Sequence, residues 1–177
     1  MIETPRLLLA QPTLADFDES YAIGSDEAVV RYIGGKPASR EDAWTKLLRN
    51  IGHWSAFGFG IFTVREREGG AHVGEVGFAF FARGFGERFD RFPEAAWVLA
   101  PASQGKGYAS EAVIATHAWM DNAHQPARTV CIIHPDNAAS MRVAGKLGYR
   151  AVGEVSYRGA APRILERGSK GAVPALG

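Results

Sequence analysis

Between Val98 and Glu111 an apolar stretch runs through Ala100-Pro101-Ala102-Ser103-Gln104 into Gly105-Lys106-Gly107 and out into Tyr108-Ala109-Ser110-Glu111. A strand that ends on a Gly-rich turn and passes directly into a helix asks for a sheet with helices packed across it. Such a turn leaves several backbone N–H groups free, and the helix dipole adds partial positive charge at the same place. Together they make a phosphate site. Gly105 and Gly107 let the chain turn tightly and let a phosphate approach the backbone; Lys106 adds a cation. A P-loop would need Gly at Ala100 and Ser or Thr at Gly107, so that reading fails. A dinucleotide fingerprint finds Gly105 and Gly107 but meets Ser110 at its third glycine, with no acidic ribose ligand on a following strand. Taken alone, the two glycines also fit a plain tight turn.

The pattern around this segment gives the rest of the order. Leu7-Leu8-Leu9-Ala10 reads as a strand closed by Pro12, and Thr13 through Ile23 as a helix with Thr13 at its N-cap. Asp26 to Ile33 reads as a second short helix. Ser39 starts a third, with Asp42 three residues on in a near capping box and Trp44, Leu47, Leu48 and Ile51 at helical spacing. After Gly58 the period changes to two. Phe59 to Val64 and Val73 to Phe81 form a hairpin around Gly69-Gly70, and Gly74 and Gly77 point to a bulge or a close backbone approach. Residues 82–93 read as a long loop, and Glu94 to Leu99 as a strand stopped by Pro101. Gly107 to Ala123 is the clearest helix, striped by Ala109, Ala112, Val113, Thr116, Trp119, Met120 and Ala123. Thr129 to Ile133 reads as an interior strand, Asn137 to Leu147 as a helix with Gly148 at C′, and Tyr149 to Tyr157 and Pro162 to Glu166 as closing strands. The expectation is a mixed, largely antiparallel α/β sheet of about seven strands with helices on both faces. Residues 1–167 form one domain, and 168–177 a frayed tail.

Composition narrows the function classes. With 20 Lys+Arg against 19 Asp+Glu in 177 residues, no global charge draws the chain to nucleic acid. No apolar run is long enough to span a bilayer and no leader pattern opens the chain, so no membrane partner and a cytoplasmic location are expected. The lone Cys131 lies in Val130-Cys131-Ile132-Ile133 and reads as a buried thiol. His53, His72, His117, His124 and His134 are scattered without metal spacing.

Gln104-Gly105-Lys106-Gly107-Tyr108-Ala109 resembles the pyrophosphate loop of the GNAT superfamily of N-acetyltransferases. Asn137-Ala138-Ala139-Ser140 with Lys146-Leu147-Gly148-Tyr149 resembles that family's second signature. Thr4-Pro5-Arg6-Leu7-Leu8-Leu9 is similar to the start of its ribosomal-protein N-terminal acetyltransferase branch. The resemblance runs over about residues 2–167. It implies that acetyl-CoA, as co-substrate, lies between two splayed parallel strands. Backbone groups near Val98 and Leu99 would meet the pantetheine arm, the amides of Gln104, Gly105, Lys106, Gly107, Tyr108 and Ala109 the pyrophosphate, and Asn137 the cofactor from the next helix. It implies direct attack by a primary amine, on a small molecule or a protein N-terminus, and it admits a homodimer.

The chemistry then needs a proton acceptor and an oxyanion donor. Glu75 and Glu94 are the candidate bases. Both fall in expected strands, where solvent-facing acids are unremarkable; Glu75 ranks first because it follows Gly74 in the central hairpin strand. Where many members of the family carry a tyrosine that protonates the leaving thiolate, this chain has Ala144, and Ser140 is the substitute. The alternative is a non-catalytic acyl-CoA-binding domain of the same fold. Arg83, Arg88 and Arg91, interleaved with Phe85, Phe89 and Phe92, are expected to border the acceptor site.

Overall fold

The computed structural model describes residues 1–168. Its elements are β1 (Ile2–Glu3), β2 (Leu7–Ala10), α1 (Phe17–Ser25), α2 (Glu27–Val30), α3 (Arg40–Phe57), β3 (Ile61–Glu66), β4 (His72–Ala79), α4 (Glu87–Asp90), β5 (Glu94–Leu99), α5 (Tyr108–Ala123), β6 (Arg128–Ile133), α6 (Ala138–Lys146), β7 (Arg150–Glu154) and β8 (Arg163–Gly168). The expected tail falls outside the described residues except for Gly168, which closes β8.

One eight-stranded sheet runs in the order β1-β2-β3-β4-β5-β6-β8-β7. Every neighbouring pair is antiparallel except β5 and β6. The strand beyond the expected seven is β1, two residues long and too short to show a period. Residues 82–93 hold the single turn of α4, where a loop is expected.

Alternation along β4 shows how the helices divide. Val76 and Phe78 face α5: both are buried, and Phe78 meets the His117 ring edge-on at 4.7 Å. Glu75, one residue before Val76 and so of the opposite parity, faces the other way and bonds Ser20 of α1 and Lys46 of α3. The sheet therefore carries helices on both faces. Burial of Phe78 contributes roughly 2–3 kcal/mol. Gly74 and Gly77 do mark close approach, since a Cβ at Gly74 would stand 2.2 Å from the Val98 carbonyl oxygen and one at Gly77 2.3 Å from that of Gly60.

The third helix departs from its expected face. Leu47 is buried, but Trp44 and Leu48 are exposed, and the inward residues are Ala43, Leu47, Asn50 and His53. Trp44 instead meets the Phe17 ring edge-on at 5.1 Å on the outer side. The rotation turns Lys46, Arg49 and Asn50 towards the interior of the molecule's main cleft.

Candidate active site

The parallel pair β5–β6 is joined at one register position, Glu94 with Val130, where the Val130 amide donates to the Pro93 carbonyl at 3.1 Å. Beyond it the strands part. The Ala100 amide bonds the Val73 carbonyl of the neighbouring strand at 2.9 Å. Alternation therefore turns the backbone of Val98 towards β4 and that of Trp97 and Leu99 into the gap. The backbone of Val98 is thus engaged with β4, and its side chain lines the cleft, while Leu99 presents its backbone to the gap. A cavity of about 920 Å³ opens at the gap and extends under α3.

At the far end of β5, past Leu99, the glycine turn takes the shape its composition asks for. Gly105 and Gly107 adopt φ of +76° and +82°, a region L side chains rarely enter. Gln104 is extended and donates from Nε2 to the Leu99 carbonyl at 3.2 Å. The first helical bond of α5 runs from the Glu111 amide to the Gly107 carbonyl at 3.1 Å. The amides of Gly107, Tyr108, Ala109 and Ser110 thus have no partner within the helix, and no side chain caps them. Lys106 leans towards Glu66 at 3.9 Å. The turn is not part of the cavity wall; it stands outside the cavity at the end of the strand.

A brace on this turn is what the sequence reading missed. Arg6 donates from Nη1 to the Lys106 carbonyl at 3.0 Å and from Nε to Glu111 Oε2 at 2.7 Å. Thr4 Oγ1 donates to Glu111 Oε1 at 2.6 Å. The Thr4-Pro5-Arg6 opening is the signal that could have found it: these residues clamp the start of α5.

On the other side of the gap α6 begins with Asn137, whose Oδ1 accepts from the Ser140 amide at 3.0 Å while its side-chain NH₂ stays available. Trp97 Nε1 donates to Ser140 Oγ at 3.2 Å. An indole nitrogen only donates, so the Ser140 hydroxyl hydrogen is left to point elsewhere. Both residues line the cavity. Ala144 is packed in the core, away from it.

The two candidate bases are not exposed: Glu75 is 6% and Glu94 3% accessible. They share one face of the sheet and both line the cavity. Burial pushes the Glu75 carboxyl up, but the Lys46 charge and the hydrogen bonds from Lys46 and from Ser20, at 2.5 Å, outweigh it, and its pKa lies below the ordinary carboxylate value. Glu94 receives both Nε and Nη2 of Arg83, at 2.7 and 2.8 Å. There burial dominates and the pKa stays above the ordinary value. The two carboxylates are four register positions apart on adjacent strands, and each is shifted by its own cation and its own burial.

Of the three loop arginines, Arg83 borders this cavity, held also by the Tyr157 hydroxyl at 2.7 Å. Arg88 and Arg91 line a separate small pocket with Phe92 and Arg128. Cys131 is buried, which pushes its thiol up. Among the described residues no three His, Cys, Asp or Glu side chains gather as metal ligands.

A family model described as an acetyltransferase (GNAT) domain matches residues 6–150. Over 152 residues the chain is 32% identical to the uncharacterized N-acetyltransferase YnaD of Bacillus subtilis, covering 86% of this chain and 84% of that one. A GnaT-family acetyltransferase structure from Bordetella pertussis superposes with a TM-score of 0.84 at 37% identity, over 94% of this chain and 98% of the other. A spermidine N-acetyltransferase from Vibrio cholerae, solved with CoA and spermine, shares the fold at a TM-score of 0.74 and 14% identity, over 94% and 97% of the two chains.

Proposed function

Because this chain belongs to the GNAT acetyltransferase family, we propose that it transfers an acetyl group from acetyl-CoA to a primary amine by direct attack. Residues 1–167 act as one N-acetyltransferase domain in this reading. The observation that carries it is the parting of β5 from β6 after Glu94 and Val130, with unpaired backbone on one edge and uncapped helix amides at the end. The donor set suits the co-substrate: an amide-lined slot for an extended arm and free N–H groups for a diphosphate. Within the branch, the braced Thr4-Pro5-Arg6 opening supports kinship with the ribosomal-protein N-terminal acetyltransferases.

Acetyl-CoA supplies a thioester whose carbonyl carbon the amine attacks. A C–N bond forms, the C–S bond breaks and the thiolate leaves. The Leu99 amide faces the gap and can donate to the oxygen as its charge grows. Glu75, kept ionised by Lys46, attracts the incoming ammonium and receives its proton through the lone pairs that Ser20 and Lys46 leave open. Glu94 is the second acceptor in line. The Ser140 hydroxyl, whose hydrogen Trp97 does not engage, donates to the leaving sulfur.

Release of free CoA thiol from acetyl-CoA, measured across a panel of amines and N-terminal peptides, tests this. Turnover on one amine class that drops about a hundredfold in Glu75→Gln supports the assignment. Tight acetyl-CoA binding with no release on any amine would favour the acyl-CoA-binding alternative, and no binding would sink the co-substrate assignment.

A further inference from the structure

The acceptor side of the cavity has a charge that the chain as a whole does not. Six cationic and four acidic side chains line the wall. Lys46 is paired with Glu75 and Arg83 with Glu94. Asp42 is engaged by the Ser39 amide and hydroxyl at 3.1 and 2.7 Å. Those bonds leave the Asp42 charge in place, so what remains is Arg49, with Arg31, Lys36 and Arg158, against Glu41 and Asp42.

Arg49 stands out among these. It projects from α3 into the cavity and rests over the Phe81 ring at 5.4 Å. Arg83 covers the same ring at 4.6 Å. Of two guanidiniums on one aromatic ring, Arg83 holds a carboxylate in both arms, whereas Arg49 forms no salt bridge among the described residues and meets the Glu75 and Glu94 charges only through space. Beside it Asn50 is 4% accessible and lines the cavity, yet its carboxamide makes no hydrogen bond among the described residues. Its carboxamide atoms open onto the cavity and are free to meet a ligand there. Desolvation and the nearby guanidiniums of Arg83 and Arg158 press the Arg49 pKa down, so an arriving anion would be stabilised there.

The phosphates of acetyl-CoA do not account for Arg49. It lies within reach of both Glu75 and Glu94 inside the cavity, while the glycine turn stands outside the cavity, past Leu99. Lys46 and Arg49 are three residues apart on one helix face, about 5–6 Å between Cβ atoms. Lys46 touches Glu75, so an amine at Glu75 and an anion at Arg49 must lie within about one helical turn of each other.

We propose that Arg49, assisted by Asn50, binds a carboxylate on the acceptor, and that the substrate class is a small amino acid. This rests on the transferase reading and names its acceptor. A guanidinium fork matches a carboxylate in two parallel hydrogen bonds, whereas the net cationic wall repels a polyamine.

The test is calorimetric titration of amino acids, their amides and spermidine into the protein–CoA complex. An amino acid is expected to bind about tenfold or more tightly than its own amide. Arg49→Gln is expected to abolish that difference and Arg49→Lys to restore part of it, with acetyl-CoA affinity and melting temperature unchanged. Equal binding of acid and amide, tighter binding of spermidine, or a loss of acetyl-CoA affinity in Arg49→Gln would overturn the proposal. Preferred binding of a peptide with an acidic residue near its N-terminus over every free amino acid would overturn the small-molecule class. Amino-acid binding without CoA release would sink the transferase reading and leave the carboxylate site standing.

Discussion

Helices α3 and α5 begin in opposite ways. At α3 the Ser39 hydroxyl accepts from the Asp42 amide at 3.1 Å and the Asp42 carboxylate accepts from the Ser39 amide at 3.1 Å, so the end is closed by its own side chains. At α5 the N-cap is Gly107, which has no side chain, and the amides are left open. The difference is not one of stability for its own sake. An uncapped end forgoes about 1 kcal/mol, and α5 stays folded because its middle is buried: Ala112, Val113, Thr116, His117 and Met120 all lie in the interior. A helix held from its side can leave its tip free to receive something else, whereas α3, with exposed Trp44 and Leu48, needs its cap.

The largest expected effect attacks that side support. His117 is 2% accessible; its Nδ1 donates to the Val113 carbonyl at 2.7 Å and its Nε2 accepts from the Tyr149 hydroxyl at 2.9 Å. Burial pushes its pKa from 6.5 down to about 4. The unfolded chain takes up this proton as pH falls through 6.5, while the folded one refuses it until about 4. Stability is therefore full above the upper value and falls by about 3 kcal/mol across the window. Urea midpoints of the native protein and His117→Gln should diverge over that range, because His53 and His72, also depressed, act equally in both. Parallel pH profiles would refute the side-support account.

Next in size is Gly107→Asp. Asp tolerates the left-handed conformation, and the nearest atom to a new Cβ is Arg6 Nη2 at 3.5 Å, so the fold should survive. The new carboxylate would cap the open amides and repel a diphosphate. The acetyl-CoA KM should rise about a hundredfold with little change in melting temperature. An unaltered KM would mean the open end binds nothing. Ser39→Ala is the mirror experiment: about 1 kcal/mol of stability lost, with acetyl-CoA KM untouched. Smallest is Arg6→Gln, which slackens the brace on Lys106. The pair with Glu111 is partly exposed, so steady-state kinetics should show about a threefold rise in acetyl-CoA KM.

This contrast also divides what could be read from the sequence. Turn chemistry and caps are local, so Gly105 and Gly107, the Ser39–Asp42 box and the Asn137 cap were legible from a few neighbouring letters. So was the α5 stripe, because that helix packs one apolar face on the sheet. The α3 face was misread, because the cavity takes the polar residues Lys46, Arg49 and Asn50 inward and leaves Trp44 outside. Periodicity assumes that inside means apolar, and it fails where the inside is a wet cleft. Pairings over long separation, such as Glu75 with Ser20 and Arg6 with Glu111, leave no mark in sequence order.

Gly74 carries a last consequence. Because the Val98 carbonyl oxygen occupies the space a Cβ would need, the distance between β4 and β5 is set by an atom that is not there. Gly105, by contrast, has nothing within 4 Å of such an atom. A saturation library would therefore find two kinds of glycine in this protein. One is fixed by its neighbours and admits no variation. The other is constrained chiefly by its dihedral angle, so Asn or Asp can enter. Adaptation to new donors has room at the turn and none at the strand that floors the cleft.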